Sequence, residues 1–331
     1  MRIIALEEHF NDPSLIGRID PDAIVRRGFP SGDTPPAAKK REAALHDLGP
    51  DRLADMDAAG ISLQVLSIVG PASDLLPAGE SLAWARDAND LLARSVRANP
   101  GRYAGFAHLP MTATDAVADE LERAVTELGF RGALINGTTE GRFLDDPLYA
   151  PLLARAEALD VPLYLHPGLP PEAVRQAYYD HLPGKTGYFL STTAWGWHQE
   201  VAIHVLRLVL SGALDRHRGL KIIIGHMGEG LPAMLARCDD VFSAGATPHL
   251  KRSVSQTILD QVWITISAFF TLPPLMAALL TFGTDRILFS VDYPFSSNLA
   301  ARQFLDTLPL SPADRMKIAH GNAERLLKLK A

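Results

Sequence analysis

The amino-acid sequence predicts an α/β fold, a distorted (β/α)8 TIM barrel with an extended loop after strand 1 and an insertion after strand 5. Eight short apolar runs alternate with amphipathic segments along the 331 residues. Each strand–helix pair takes about forty residues, a spacing that is typical of such a barrel. The first run ends in Glu7-Glu8-His9, where a doubly wound open sheet normally carries a glycine-rich phosphate loop. We therefore favour the barrel over the open sheet.

In the N-terminal half, the barrel elements surround one irregular stretch. Residues 11–40 are rich in Pro, Gly, Asp and Arg and show little periodicity, so we expect a long loop there, acting as a lid or a subunit contact. Apolar runs that end at turn residues predict strands over residues 3–10, 62–69, 103–109 and 132–137. Amphipathic segments that end at glycine or proline predict helices over residues 51–60, 82–98 and 112–128.

The C-terminal half repeats the alternation. Strands are predicted over residues 162–168, 220–226, 262–266 and 286–292. Helices are predicted over residues 146–159, 201–214, 230–241, 272–280 and 312–327, the last with a break at Gly321. A longer insertion after the fifth strand holds the aromatic cluster Trp195-Gly196-Trp197-His198. We expect residues 1–331 to form a single domain.

Composition and charge argue against several kinds of partner. Apolar residues make up 47% and charged residues 21%, and the net charge of −6 comes without a long acidic or basic run. We therefore expect neither nucleic acid nor a membrane as a partner. Cys238 is the only cysteine, so an intrachain disulfide is impossible, and we interpret this residue as a buried structural thiol. The N-terminus lacks a signal peptide, and these features together predict a cytoplasmic enzyme.

Polar side chains end four of the predicted strands. Glu7 and His9 end the first strand, His166 the fifth, His226 the sixth and Asp292 the eighth. Each residue alone is typical of a solvated strand end or a hydrogen-bonded histidine. Because the C-terminal ends of barrel strands converge on one space, the five together predict a metal site. Side chains alternate along a strand, so Glu7 and His9 should point into that space and Glu8 away from it.

The residue types favour one divalent metal ion. Glu7, His9, His166 and Asp292 offer two imidazoles and two carboxylates, a donor set that suits Zn²⁺ or Mn²⁺. A two-metal site bridged by a carbamate is not expected, because no lysine lies at a neighbouring strand end. His226 is predicted to be a fifth ligand or an acid/base group. Glu229, three residues further on, would orient its imidazole and raise its basicity.

These residues, in this order, resemble the amidohydrolase superfamily. The similarity is closest to its metal-dependent aromatic acid decarboxylases, such as the γ-resorcylate, 2,3-dihydroxybenzoate and 5-carboxyvanillate decarboxylases. It covers nearly the whole chain and is carried by these stretches: residues 5–10, 145–149, 165–168, 224–229, 289–294 and 321–327. Hydrolytic members typically open with His-x-His, whereas this chain has Glu7-x-His9. That departure favours C–C bond cleavage over hydrolysis.

The resemblance implies a role for each strand-end residue. Glu7, His9, His166 and Asp292 would bind the metal, with His226 and Glu229 forming an adjacent dyad. In a decarboxylase, Asp292 would protonate the ring carbon of a hydroxybenzoate-like acid as CO₂ leaves. In a hydrolase acting on a lactone, amide or C–C bond, Asp292 would instead activate a metal-bound water. The resemblance implies no organic cofactor, a small aromatic acid as substrate, and a homodimer or homotetramer. A barrel that keeps a structural metal and only binds ligands remains a further alternative.

Six further side chains are candidates for substrate contact: Trp195, Trp197, His198, Arg52, Arg237 and Asn136. The aromatic ones and His198 would line a pocket, although such clusters often only pack. The two arginines would meet a substrate carboxylate or form ion pairs at a helix surface or a subunit interface. The asparagine, at the end of the fourth strand, is a plausible hydrogen-bond donor. Two other histidines, His108 and His204, are interpreted as structural.

Overall fold

Parallel strands form the centre of the computed structural model, which describes residues 1–29 and 36–330. Every pairing between neighbouring strands is parallel. The strands are β1 Ile4–Phe10, β2 Leu63–Ile68, β3 Tyr103–Gly105, β4 Ala107–His108, β5 Ala133–Asn136, β6 Pro162–His166, β7 Lys221–Ile224, β8 Val262–Thr265 and β9 Ile287–Leu288.

Two junctions close these strands into a barrel. At the first, β3 and β4 are one barrel strand interrupted at Phe106, whose N–H still donates to Leu66 O at 2.9 Å. At the second, the chain beyond β9 returns to β1, because Leu6 N–H donates to Phe289 O at 3.2 Å and Leu6 pairs with Ser290 in parallel. The predicted (β/α)8 barrel is therefore confirmed, with β3 and β4 together as its third strand.

Helices surround the barrel and fill its connections. They are α1 Pro13–Ile16, α2 Pro21–Arg27, α3 Pro36–His46, α4 Pro50–Ala59, α5 Ala78–Ala98, α6 Val117–Thr126, α7 Ala150–Leu159, α8 Glu172–Tyr178, α9 Thr186–Ser191, α10 Gly196–Leu210, α11 Ala213–Arg216, α12 Leu235–Val241, α13 Val254–Gln261, α14 Leu272–Phe282, α15 Asn298–Thr307, α16 Pro312–Met316 and α17 Asn322–Leu327. A π-helical turn, Lys317–Gly321, joins the last two. No helix among the described residues has the length and apolar character needed to cross a membrane.

The stretch after β1 is helical rather than a long loop, so that expectation was wrong over most of its length. Asp12 and Asp20 cap α1 and α2 by accepting the N–H groups of Ser14 and Asp22. Each cap is followed by a proline, which is already in a helical backbone conformation. Capping residues therefore start these short helices without an amphipathic pattern. Residues 30–35 of the predicted lid lie outside the described residues.

Two helices that the sequence pattern did not predict, α13 and α15, also begin at capping serines. Ser253 Oγ accepts the N–H of Gln256 at 3.2 Å, and Ser297 Oγ accepts that of Ala300 at 3.3 Å. Both helices are short, with eight and ten residues, so their periodicity is weak. The C-terminal helical region is not broken at Gly321 but continues through the π-helical turn.

Apolar side chains pack on both sides of the strands. The barrel interior below the site is filled by a small buried cluster from opposing strands, which includes Leu6, Phe106, Tyr164 and Leu288. A larger buried cluster lies between the strands and the surrounding helices. Because side chains fill the interior, the barrel offers open space only at the C-terminal ends of its strands.

Candidate metal centre

A bulge in β1 sets the direction of the first polar side chains. The pairing register with β2 shifts between Ala5 and Glu8, and Glu7 takes a left-handed backbone conformation with φ of 63°. Glu7 and His9 both reach the space at the barrel mouth, as the strand pattern predicts. Glu8 points the other way and accepts the N–H groups of Val291 and Tyr293 at 2.8 and 3.2 Å. It therefore stabilises the segment that carries Asp292.

Four of the predicted strand-end residues meet in one place, which we call the four-residue cluster: Glu7, His9, His166 and Asp292. One possible ligand atom from each lies within 4.8 Å of all the others. His9 Nε2 is 3.3 Å from Asp292 Oδ1, and His166 Nε2 is 3.5 Å from Glu7 Oε1. These separations are compatible with four groups arranged around a single small cation.

Neighbouring side chains orient two of these groups and leave one atom of each without a partner. The hydroxyls of Tyr164 and Ser267 donate to Glu7 Oε2, and His9 Nδ1 lies 3.3 Å from Ser67 Oγ. Glu7 Oε1 and His9 Nε2 are buried and make no hydrogen bond with the described residues. Buried polar atoms normally have a partner, and second contacts of this kind are typical of metal ligands. The residues therefore fit a metal ion.

Burial also sets the protonation of the cluster. It lowers the pKa of His9 to about 4 and that of His166 to about 3. Both imidazoles are therefore neutral at pH 7, which leaves a lone pair available for a metal. Burial raises the pKa of the Asp292 carboxyl to about 7, against the opposing effect of His226.

A second group of buried residues adjoins the first, and we call it the Glu229 cluster: His198, His226 and Glu229. His226 Nδ1 is 2.8 Å from Glu229 Oε1, and His198 Nδ1 is 2.5 Å from Glu229 Oε2. Burial lowers the pKa of His226, but the carboxylates of Glu229 and Glu7 outweigh it and raise this pKa to about 10. Burial raises the pKa of Glu229, yet His226 and both hydrogen bonds bring it below its usual value.

The two clusters meet at Gly225. His226 Nε2 lies 3.8 Å from Glu7 Oε1. A Cβ at Gly225 would lie 3.0 Å from Glu7 Oε2 and 3.4 Å from Glu229 Oε1. Glycine at this position therefore allows the two carboxylates to approach the same backbone.

Arg52 lies away from both locations considered for it. It is completely buried, so the expectation of a surface or interface ion pair was wrong. Its guanidinium donates to the carbonyl oxygens of His9 and Ala44 and lies 4.7 Å from the ring centre of Tyr293. It therefore holds together the backbone next to His9 and Asp292. It is not among the residues that line the cavity beside His166, which is described next.

A cavity that is open to solvent lies beside His166. Asn136, at the end of β5, pairs in register with His166, and Trp197 packs with its ring centre 6.5 Å from that imidazole. Asn136 Nδ2 and Trp197 Nε1 are buried without a partner among the described residues. Arg27 and Phe29 complete the wall from the N-terminal segment, so part of the predicted lid stretch does line the site.

The other candidates lie elsewhere. Trp195 is 54% exposed and is not among the residues that line the cavity. Arg237 is exposed and makes no ion pair with the described residues. His198 is bonded to Glu229 instead of lining the cavity. His108 and His204 are buried structural histidines, bonded to Ser73 Oγ and to the N–H of Leu144 respectively.

Sequence reasoning missed the hydroxyl groups that orient the cluster. Tyr164 lies two residues before His166 on the same face of β6, so strand alternation could have identified it. Ser67 and Ser267 carry no comparable signal, because their roles depend on contacts with distant residues.

Comparisons with known proteins show similarity along nearly the whole chain. A family model described as amidohydrolase matches residues 31–329. The chain is 39% identical to a γ-resorcylate decarboxylase of Rhodococcus jostii, over 98% of both proteins.

Solved structures show the same similarity. A 2,6-dihydroxybenzoate decarboxylase in complex with 2,6-dihydroxybenzoate is 38% identical, with a TM-score of 0.88 over 99% of this chain and 100% of that one. A dihydroxybenzoic acid decarboxylase of Polaromonas with bound manganese and the inhibitor 2-nitroresorcinol is 36% identical. Its TM-score is also 0.88, over 99% of this chain and 98% of that one.

Proposed function

The chain belongs to the amidohydrolase family, and from this premise we propose that it is a metal-dependent, non-oxidative decarboxylase of a hydroxybenzoate-like aromatic acid. The observation that carries the proposal is the similarity to γ-resorcylate decarboxylases, which extends over 98% of the chain at 39–40% identity. The matched length spans the strands whose ends carry the four-residue cluster. The reaction class is that of a carboxy-lyase.

One divalent metal ion, Mn²⁺ or Zn²⁺, is the proposed cofactor, and no organic cofactor is required. Glu7, His9, His166 and Asp292 would hold it, as their buried lone pairs support. Manganese is favoured because a relative with that ion is 36% identical. When bound, the ion supplies positive charge that fixes an anionic aromatic acid and stabilises negative charge on its oxygens.

The protein groups supply the proton transfers. Asp292 donates its proton to the ring carbon that bears the carboxylate, the bond from that carbon to the carboxylate breaks, and CO₂ leaves as the ring regains aromaticity. The proton enters the ring where CO₂ departs, so atoms and charge balance without a redox step. His226 holds the phenolic proton of the substrate, and Glu229 orients its imidazole through the 2.8 Å hydrogen bond.

The cavity accounts for recognition of the ring. It opens directly beside His166, one of the proposed metal ligands, so a ring held there would lie next to the metal position. The indole of Trp197 offers an aromatic wall, and its N–H and the amide of Asn136 offer donors for polar substituents. Arg52, Arg237, Trp195 and His198 are not proposed as substrate contacts.

The test is CO₂ release from a panel of acids. Protein loaded with Mn²⁺ is incubated with 2,6-dihydroxybenzoate, 2,3-dihydroxybenzoate, salicylate and 4-hydroxybenzoate, and CO₂ and the phenol product are measured. Acids with an ortho hydroxyl should react, and 4-hydroxybenzoate, which lacks one, should not. If none releases CO₂ while lactones or amides are hydrolysed, the hydrolase alternative replaces the decarboxylase.

We also propose a homodimer or homotetramer in the cytoplasm. An apolar stripe on α14 supports assembly, because Leu272, Met276 and Leu280 recur every four residues and are 51%, 42% and 83% exposed. The single cysteine, Cys238, fits a reducing compartment. Light scattering measures the mass in solution, and Leu280→Asp should lower it if the stripe is an interface.

A further inference from the structure

His198 is the one member of the two clusters for which the proposed reaction has no use. It lies in the first turn of α10, outside the barrel strands, and is 9% exposed. Its ring packs edge-on against His226 and Phe269, with centroid distances of 4.9 and 5.1 Å. A buried histidine in such contact with a proposed proton carrier requires an explanation.

The hydrogen bonds of His198 connect α10 to Glu229. Its Nε2 lies 3.1 Å from Thr193 O. Its Nδ1 lies 2.5 Å from Glu229 Oε2, and since a carboxylate oxygen only accepts, Nδ1 donates in this contact. Glu229 Oε1 meanwhile faces His226 Nδ1. Each carboxylate oxygen of Glu229 therefore faces one imidazole nitrogen, and the two imidazoles share a single carboxylate.

The backbone that carries Glu229 needs such an external contact. Residues 226–230 all have positive φ, between 48° and 84°, and three of the five are not glycine. This conformation is unfavourable for residues with a side chain and persists only where surrounding contacts enforce it. A hydrogen bond from a separate helix is a contact of this kind.

We propose that His198 is a positioning residue that fixes the carboxylate of Glu229 and, through it, the imidazole of His226. Without His198, Glu229 Oε2 loses its only side-chain hydrogen-bond partner among the residues that the structure describes, and the carboxylate can rotate. His226 Nε2, which faces Glu7, then loses its fixed direction. The four-residue cluster keeps its own partners, so metal binding does not depend on His198. This proposal rests on the decarboxylase function and goes beyond it.

The test compares His198→Asn with His198→Gln. An asparagine amide places its nitrogen near the position of Nδ1 and keeps a donor for Glu229, whereas a glutamine amide reaches towards the position of Nε2. With Mn²⁺ and 2,6-dihydroxybenzoate, we expect H198N to keep kcat within about 3-fold of the unmodified chain. H198Q should lose about 10- to 100-fold in kcat, the usual effect of removing an orienting partner. KM and Mn²⁺ affinity, measured by calorimetry on the metal-free protein, should change by less than about 2-fold in both.

The matched control is His204→Gln on the same helix. His204 is also buried, but its Nε2 accepts the N–H of Leu144 instead of contacting Glu229. H204Q should leave kcat unchanged. Two results would overturn the positioning role. One is equal kcat in H198N and H198Q, and the other is a fall in the kcat of H198Q that is matched by a fall in its Mn²⁺ affinity. If the unmodified chain releases no CO₂, the proposed function fails instead, and the two failures are distinguishable.

Discussion

The two buried clusters at the barrel mouth have similar residues but differ in how their polar atoms are satisfied. Each combines two imidazoles with one or two carboxylates, and within each cluster the possible ligand atoms lie within 4.8 Å of one another. In the four-residue cluster, Glu7 Oε1 and His9 Nε2 are buried and make no hydrogen bond with the described residues, although His166 Nε2 and Asp292 Oδ1 lie 3.5 and 3.3 Å away. In the Glu229 cluster, both carboxylate oxygens face imidazole nitrogens at 2.5 and 2.8 Å.

This difference shows that residue type and proximity alone do not identify a metal site. Buried lone pairs without a donor are costly unless a cation takes them up. Lone pairs that already accept a hydrogen bond have no such need, and their network can instead orient a proton carrier. We therefore propose that the first cluster binds the metal and that the second handles protons.

The largest expected effect is on metal binding, which should depend on the four-residue cluster and not on the Glu229 cluster. Dialysis against a chelator should abolish decarboxylation, and Mn²⁺ should restore it. Glu7→Gln should weaken Mn²⁺ affinity by at least about 100-fold, because it replaces a charged ligand, whereas Glu229→Gln should leave affinity unchanged. Calorimetry on metal-free protein measures both. Equal loss in the two variants would remove the distinction between the clusters.

Asp292→Asn should have the next largest effect. The amide oxygen still faces the metal position, but the side chain can no longer donate an acidic proton to the ring. We expect kcat to fall by about 10²- to 10⁴-fold, the usual contribution of a positioned acid, with bound Mn²⁺ retained. Metal analysis and CO₂ release are measured on the same sample. Full activity in D292N would refute the role of Asp292 as the acid.

The Glu229 cluster should give a smaller loss. Glu229→Gln removes the charge that two imidazoles share, and kcat should fall by about 10- to 100-fold at unchanged metal content. Glu157→Gln is the matched control, since Glu157 also bonds a histidine, His217 Nδ1 at 2.9 Å, away from the site. An equal loss in the control would show that the effect on kcat is not specific to the site.

The smallest effect concerns a buried histidine outside both clusters. Burial lowers the pKa of His204 to about 4, and the N–H of Leu144 occupies its Nε2. The unfolded chain gains its proton near pH 6.5 and the folded chain only near pH 4, so stability falls as the pH drops through that window. His204→Gln should reduce the fall in the free energy of unfolding between pH 7 and pH 5 by about 2 kcal/mol. Urea unfolding at both pH values measures this free energy. If the variant loses as much stability as the unmodified chain, the interpretation of His204 as a buried, neutral imidazole is contradicted.

The fold and the strand-end residues could be predicted from sequence because both depend on local patterns. An apolar run that ends in Glu7, His166 or Asp292 indicates, within a few residues, a strand, its direction and its polar C-terminal end. The roles of Arg52 and His198 depend on partners distant in sequence, such as the Arg52 contact with His9 O and the His198 contact with Glu229. No pattern along the chain encodes such contacts. The single-domain organisation over residues 1–331 stays a prediction.

The left-handed run at residues 226–230 has a consequence for protein engineering. Met227 has φ of 57°, yet its side chain is only 2% exposed and packs in the large buried cluster. Glycine at this position would relieve about 1 kcal/mol of backbone strain, but it would lose about 2–5 kcal/mol of apolar packing. The Met227 side chain therefore anchors the strained loop, and selection for heat resistance would keep it together with the shared direction of His226 and Glu229.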